Sequence, residues 1–259
     1  MPGEIAIPLG ALYAFLLVIT RIGGALVFVP WPGIVAGSVV ARIVMVAAIA
    51  LAVMPAWPKV SPEAVTAGQM AVWIGGEAAF GITAGVIVSF INEGFVLAAQ
   101  IFGLQAGYSF ASTFDPTTQA DSTVLQSLTL LMASLLFMVL GLDRQVLLAF
   151  ARSFESYPPG AFAVSHATVD EVVRLGSGMF STALRLALPV VTLLALVDLA
   201  LALLGRINVQ LQLLTLAFPV KMLVSMALLA AMAGILPSVY EEAAGRSLRA
   251  LFALARRAN

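Results

Sequence analysis

The side chains with chemistry to offer stand where lipid would not tolerate them. Arg21, Arg42, Glu77, Glu93, Arg185, Asp198, Arg206 and Lys221 all fall inside or at the edge of long apolar runs. A charge at a bilayer centre costs about 2.5–3.5 kcal/mol or more unless it is paired, hydrated or snorkelled. Arg21, Arg206 and Lys221 lie close enough to run ends to reach an interface. Glu77, Arg185 and Asp198 sit deeper, so burial against partner helices is expected for them. Arg185 and Asp198 are about 220° apart around a helix, and Asp198 and Arg206 about 80°, so neither pair forms naturally. Pro189 denies a hydrogen bond to the Arg185 carbonyl and can kink the helix there. Their partners must come from elsewhere, another subunit included.

Glu77, Gly81, Gly85 and Ser89 recur at four-residue spacing, near one helical face. Gly81 to Gly85 is also a GxxxG match, which permits close backbone contact with another helix. The stripe reads as a packing face that presents one carboxylate. Catalytic machinery is not legible. There is no cysteine, the only histidine is His166 in a hydrophilic stretch, and no Gly-rich phosphate loop or Gly-x-Ser-x-Gly elbow occurs. No metal site, cofactor or enzymatic activity is therefore expected.

The most informative segment runs from Ala98 to Pro116. Gln100, Gln105, Ser109, Ser112, Thr113 and Asp115 offer hydrogen-bonding groups that hydrocarbon cannot satisfy, yet the segment lies between spans. Gly103 and Gly107 permit close backbone approach, and Asp115-Pro116 is expected to end the helix. Irregular backbone at membrane depth survives only where protein or water surrounds it, so this segment should line or fill a cavity inside an assembly.

These residues must be positioned by membrane helices. The chain has 259 residues, 61% hydrophobic and 10% charged, against about 25% charged in a soluble domain. The fold class is all-α, a polytopic helical membrane protein forming one unit over 1–259. Thirteen basic and thirteen acidic side chains cancel, which gives no footprint for nucleic acid. Apolar blocks run from about Pro8 to Val29, Val39 to Met54, Met70 to Ala111, Val124 to Leu142, Gly178 to Leu204 and Leu211 to Leu236. The second is shorter than the roughly 20 residues a span needs. The third would be roughly 60 Å long as one straight helix, so it is either long or broken at Asn92-Glu93-Gly94. A hydrophilic stretch, Asp143 to Arg174, and a basic tail over 241–259 complete the chain. Met1 to Thr20 holds no Lys or Arg, which favours a retained first span over a cleaved signal. Counting Lys and Arg across six spans favours cytoplasmic termini. Met132, Met138, Met179, Met222, Met226 and Met232 offer deformable packing.

Taken in order, several segments resemble one family, the FliR proteins of the bacterial type III export gate. They are Arg21-Ile-Gly-Gly with Pro30, then Glu77 with Gly81 and Gly85. Gln100-Ile-Phe-Gly-Leu-Gln-Ala-Gly107 and Phe110-Ala-Ser-Thr-Phe-Asp-Pro116 follow. Ser153-Phe-Glu155 with Pro158 and Gly160, Leu184-Arg-Leu-Ala-Leu-Pro189, Asp198 and Phe218-Pro-Val-Lys221 complete the set. Two connections depart from the family. No proline precedes the Gln-x-Asn-like stretch at Arg206-Ile-Asn-Val-Gln-Leu-Gln212, and Gly141-Leu-Asp-Arg144 replaces a usual Gly-His pair.

The resemblance implies a multi-pass inner-membrane subunit of the flagellum basal body. It would assemble with FliP, FliQ and FlhB into a channel for unfolded flagellar proteins. It implies a FliP-like part over about 1–175 and a FliQ-like hairpin over about 176–240. A loop over roughly 103–123 would plug the closed pore, with Gly103, Gln105, Gly107, Tyr108, Phe110, Phe114, Asp115 and Pro116 as gate residues. Arg21, Glu77, Gly81, Gly85, Arg185, Pro189 and Asp198 would serve packing between subunits. Arg206, Asn208, Gln210 and Lys221 would belong to an FlhB-facing loop, which puts that loop in the cytoplasm, against the charge count. The alternatives are the homologous injectisome subunit and a secondary transporter using Glu77, Arg185 and Asp198 for coupling.

Overall fold

The computed structural model describes residues 8–31, 38–61, 65–108, 124–207 and 213–256. They form helices α1 (Leu9–Leu26), α2 (Val39–Ala52), α3 (Ala67–Ala106), α4 (Val124–Val139), α5 (Leu142–Ser156), α6 (His166–Ile207), α7 (Leu213–Met232) and α8 (Leu236–Arg256), with no strand among the described residues. The chain is an all-α polytopic membrane protein.

Helix ends follow local chemistry. Ser38 caps α2 by accepting from the Ala41 amide at 3.3 Å. Thr66 and Gln69 form a capping box ahead of α3: the Gln69 amide donates to Thr66 Oγ1 at 3.3 Å and the Thr66 amide to Gln69 Oε1 at 3.0 Å. Ser165 caps α6 through the Thr168 amide at 3.2 Å. His166, expected in a loop, is the first residue of that helix.

The third block is one continuous helix of 40 residues, so Asn92-Glu93-Gly94 is not a break. Asn92 is buried and has partners for its amide: it donates to Ser134 Oγ at 3.4 Å and accepts from the Tyr240 hydroxyl. The helix does not run on to Asp115-Pro116. It stops at Ala106 because Gly107 turns left-handed, at φ 86°. The Gly107 amide donates to the Leu104 carbonyl and the Tyr108 amide to the Gly103 carbonyl, at 3.2 and 3.1 Å. This double bond pattern is a Schellman motif, which an L side chain at Gly107 would strain.

The hydrophilic stretch after the fourth block is also helical. Leu142, Val146, Ala149, Phe150, Ser153 and Phe154 form the buried stripe of α5, at spacings of three and four. It leaves α4 at 63° through Gly141, whose φ is 64°. The basic tail likewise belongs to an amphipathic helix, α8, which buries Tyr240, Ala244, Ser247, Leu251 and Ala255 and is bent from α7 by 67°.

Among the described residues, α1, α3 and α6 are long and apolar enough to cross a membrane, and the count reaches 5 if each bent pair is one span. The apolar window of α3 is 61% buried and that of α6 only 22%, so α6 exposes an apolar surface that lipid or neighbouring subunits must cover.

The chain divides into two compact units. One holds α1, α2, α3 to Phe90, α5, the start of α6 and α8 from Ala244. The other holds α3 from Ile91, α4 to Leu136, α6 from Gly176, α7 and the start of α8. In the first, Gly160 turns the chain at φ 75°, and a Cβ there would lie 2.0 Å from the Trp73 ring. Gly160→Ala is therefore expected to lower stability by about 1–3 kcal/mol, for steric crowding and backbone strain together. Unfolding in mixed micelles checks this; an unchanged midpoint would mean that Trp73 is not held there.

Candidate functional site

In the first unit the charges expected to need partners find each other. Arg21 stands on the core stripe of α1 with Ala14, Leu17, Val18, Ile22 and Ala25. Glu77 faces it from α3. The two are 1% and 2% exposed. Arg21 Nε donates to Glu77 Oε2 and Nη2 to Oε1 at 2.9 Å, a bidentate contact. Nη1 donates to Ser153 Oγ at 2.9 Å, and Nη2 also reaches the Tyr157 carbonyl at 3.4 Å. The guanidinium lies 4.3 Å from the Phe154 ring centroid and 4.7 Å from that of Phe80. Planar, weakly hydrated Arg suits this sandwich where Lys would not. Phe80 also meets Phe162 edge-on at 5.2 Å.

Gly81 and Gly85 continue the Glu77 stripe and admit α1. A Cβ at Gly81 would lie 2.1 Å from the Arg21 carbonyl oxygen, and one at Gly85 2.6 Å from that of Ala25. The stripe thus packs within the chain, and neither Arg21 nor Glu77 needs a second subunit to satisfy its charge.

The second unit holds a different polar cluster at the end of α3. Asp198 on α6 lies opposite Lys221 on α7, whose Nζ is 3.0 Å from both carboxylate oxygens. Gln105 Nε2 donates to the same Asp198 Oδ2 at 3.1 Å. On the other side of Gly107, the Tyr108 hydroxyl donates to the Met222 carbonyl at 3.3 Å. Ser225 Oγ donates to that carbonyl at 2.8 Å and lies 3.4 Å from the Tyr108 hydroxyl. Two side chains flanking Gly107 therefore pin the last turn of α3 to the α6–α7 pair.

The sequence excluded Arg185 and Arg206 as partners of Asp198 and sent the search elsewhere, but it placed Lys221 near an interface and so did not name this pair. For Arg21 the residue pattern was read as able to reach an interface and the resemblance as buried packing between subunits. It is buried, but against Glu77 of the same chain, and its three- and four-residue spacing from Leu17, Val18 and Ala25 marked it as core. Ser153 stood out only as part of the family resemblance, with nothing to tie it to Arg21, and Tyr157 and Ser225 gave no signal. Arg185, Pro189 and Arg206 are exposed on α6. Phe110, Phe114, Asp115, Pro116, Asn208 and Gln210 lie outside the described residues. Beside the cluster's helices, an apolar cavity of about 220 Å³ is lined by Phe95, Phe102, Leu186, Met132, Met226 and Met232 among others. Among the described residues no group of three or more His, Asp or Glu gathers to hold a metal. The arrangement can join helices and hold a chain segment.

The relatives of this chain include proteins that bear the name "Flagellar biosynthetic protein FliR". That of Escherichia coli K12 is 32% identical over 152 residues, 59% of this chain and 58% of that protein. That of Pectobacterium carotovorum is 32% identical over 162 residues, 62% of each. That of Caulobacter vibrioides is 26% identical over 222 residues, 84% of this chain and 87% of that protein. The chain thus matches less than two thirds of the length of the first two. A broader match, to the family described as "Bacterial export proteins, family 1", covers residues 12–247. That span takes in both the Arg21–Glu77 pair and the Asp198–Lys221 cluster, and the chain belongs to this family.

Proposed function

We propose that this chain is a non-enzymatic subunit of the flagellar protein export gate in the bacterial inner membrane, at the flagellum basal body. With FliP- and FliQ-like subunits it forms the channel for unfolded flagellar proteins, and an FlhB-like protein meets it at the gate. The family match over 12–247 carries this reading, and the relatives' names favour the flagellum over an injectisome. The stretch following Gly107 closes the resting pore. What supports that part is the anchored end of α3: a loop that must seal a lumen needs a fixed point of departure, and Gln105 and Tyr108 provide one. The region 176–240 acts as the FliQ-like hairpin, its two helices clamped by Asp198 and Lys221. Of the FlhB-facing set, Arg206 is exposed and free to meet a partner surface, whereas Lys221 is engaged by Asp198.

The test has two parts. Gently solubilised, tagged protein should co-purify in fixed ratio with FliP- and FliQ-like subunits; a lone protein that moves a small solute would overturn the export reading. Alanine at Tyr108, Phe110 and Phe114 should raise ion leak through the assembled gate while protein level holds. Unchanged leak with lost assembly would make the segment a static seal between subunits.

A further inference from the structure

The cavity in the second unit is walled by carbon and sulfur. Phe95, Ala98 and Phe102 of α3 and Leu186 of α6 supply its buried wall, whereas Leu128 and Met132 of α4 and Met226 of α7 form an exposed rim. It is therefore a slot that opens sideways between α4 and α7. Thr129 is the one polar side chain in the lining, and its hydroxyl donates to the Leu125 carbonyl at 2.8 Å. A buried water needs about two to four polar partners. This lining offers it a single hydroxyl that is already engaged.

The rim decides what lies outside. On α4 the exposed Leu128, Leu131, Met132 and Leu135 recur at three- and four-residue spacing, so the mouth is continuous with a bare apolar stripe. α4 carries no charge, and the one charge on α7, Lys221, is engaged by Asp198. Both helices are the apolar limbs of the bent pairs that each count as one span. A mouth of that kind suits hydrocarbon, not water.

Volume then selects the occupant. One turn of an α-helix, about 10 Å across and about 5.4 Å high, fills roughly 400 Å³. The slot measures about 220 Å³, too little for a partner helix. A dry apolar cavity of about 150 Å³ already takes up benzene, so a single hydrocarbon chain is slim enough to enter. Left empty, the slot would forfeit dispersion contacts along its whole lining. A lipid chain is already in an apolar medium, so entry costs it conformational freedom but no desolvation. Met132, Met226 and Met232 can adjust the width around chains of different length and unsaturation.

We infer that this slot is a binding site for one acyl chain of a membrane phospholipid, which fills the gap between α4 and α7 and holds both helices against α3. The lipid is a resident structural ligand, distinct from the surrounding bilayer. The inference depends on the membrane character of the chain and not on the export reading.

Photolabelling tests it. Cells producing the full chain with its partner subunits are grown on a fatty acid that carries a mid-chain diazirine, then illuminated, and the labelled peptides of the purified protein are mapped. Label should appear on Phe102, which is buried in the slot, as well as on the exposed Leu135. Lipid that merely coats the surface would mark Leu135 alone, and that result would overturn the inference. So would an unlabelled slot whose space is taken by a side chain of a neighbouring subunit. Filling the slot from either wall, with Ala98→Leu or Ala133→Phe, should remove the label from Phe102 and spare Leu135. Label that survives both substitutions would equally sink the site, because the chain would then reach that ring by another route.

A second measurement needs no variant. Stripped of lipid in detergent, the parent should unfold at a lower temperature, and mixed micelles of phosphatidylethanolamine and phosphatidylglycerol should restore the midpoint, as any ligand of the folded state does. A midpoint indifferent to lipid would overturn the inference.

Discussion

Arg21→Ala should lower the stability of the protein by about 3–5 kcal/mol, the range for removing one partner of a buried ion pair. The size follows from what remains. Glu77 is 2% exposed and would lose both donors of its bidentate contact, while the Ser153 hydroxyl would lose a charged partner. The deleted guanidinium would also leave a void between the Phe80 and Phe154 rings. Arg21→Lys should recover only part of the loss, because an ammonium has neither the fork that matches Glu77 nor a face to lay on the rings. The pair itself adds little compared with an apolar substitute, since both charges had to be taken out of water. Arg21→Met/Glu77→Leu should therefore fall far closer to the parent than either single change. Unfolding midpoints in mixed micelles, with steady-state protein level as the cellular readout, decide the matter. Equal stability of Arg21→Ala and the parent would mean that the pair is not enclosed as described. The double variant carries functional weight too. A transporter that used Glu77 for coupling would lose activity with it, whereas a gate subunit in which the pair joins helices would keep assembling.

How much of this was legible in the sequence depends on the range of the interaction. The apolar blocks were plain, because a span of hydrocarbon selects residues by type alone. The Glu77-Gly81-Gly85 stripe was equally plain, because its members are one turn apart and geometry fixes their common face. Its partner was not: Arg21 is 56 positions away, and no local rule couples α1 to α3. Asp198 and Lys221 are 23 positions apart on different helices, and angles around a single helix can exclude a pair but never reveal one across a hairpin. The helices α5 and α8 were misread as a hydrophilic connection and a tail for another reason. Mean polarity hides a helix whose apolar residues recur every three or four positions, as Val146, Phe150 and Phe154 do. The end of α3 was placed too late because a Pro stop at Asp115-Pro116 was preferred to the left-handed glycine at Gly107, which acts first.

Gly81→Ala should be nearly as damaging as losing the ion pair, although it adds only a methyl group. A Cβ at this position would meet the Arg21 carbonyl oxygen at 2.1 Å and the Ala25 amide nitrogen at 3.2 Å. Both are backbone atoms of α1, so no side chain can rotate away and the helix must move. Overpacking of that kind costs about 1–3 kcal/mol, and here a second loss follows. The struck carbonyl belongs to Arg21 itself, one turn along α3 from the Glu77 that holds its guanidinium. Moving α1 outward stretches the bidentate contact, so the two losses are not independent. A double-mutant cycle of Gly81→Ala with Arg21→Met/Glu77→Leu should show coupling of about 0.5–3 kcal/mol, with the methyl group tolerated better once the pair is gone. Gly75 supplies the control on the same helix. Nothing lies within 4 Å of a Cβ there, so Gly75→Ala should stabilise by about 0.5–1 kcal/mol through helix propensity alone. The order Gly75→Ala above the parent and Gly81→Ala well below it is the signature of α1 seated against bare backbone. Equal effects at both glycines would mean that α1 does not approach α3 this closely, and that Arg21 reaches Glu77 by side-chain length rather than by helix contact.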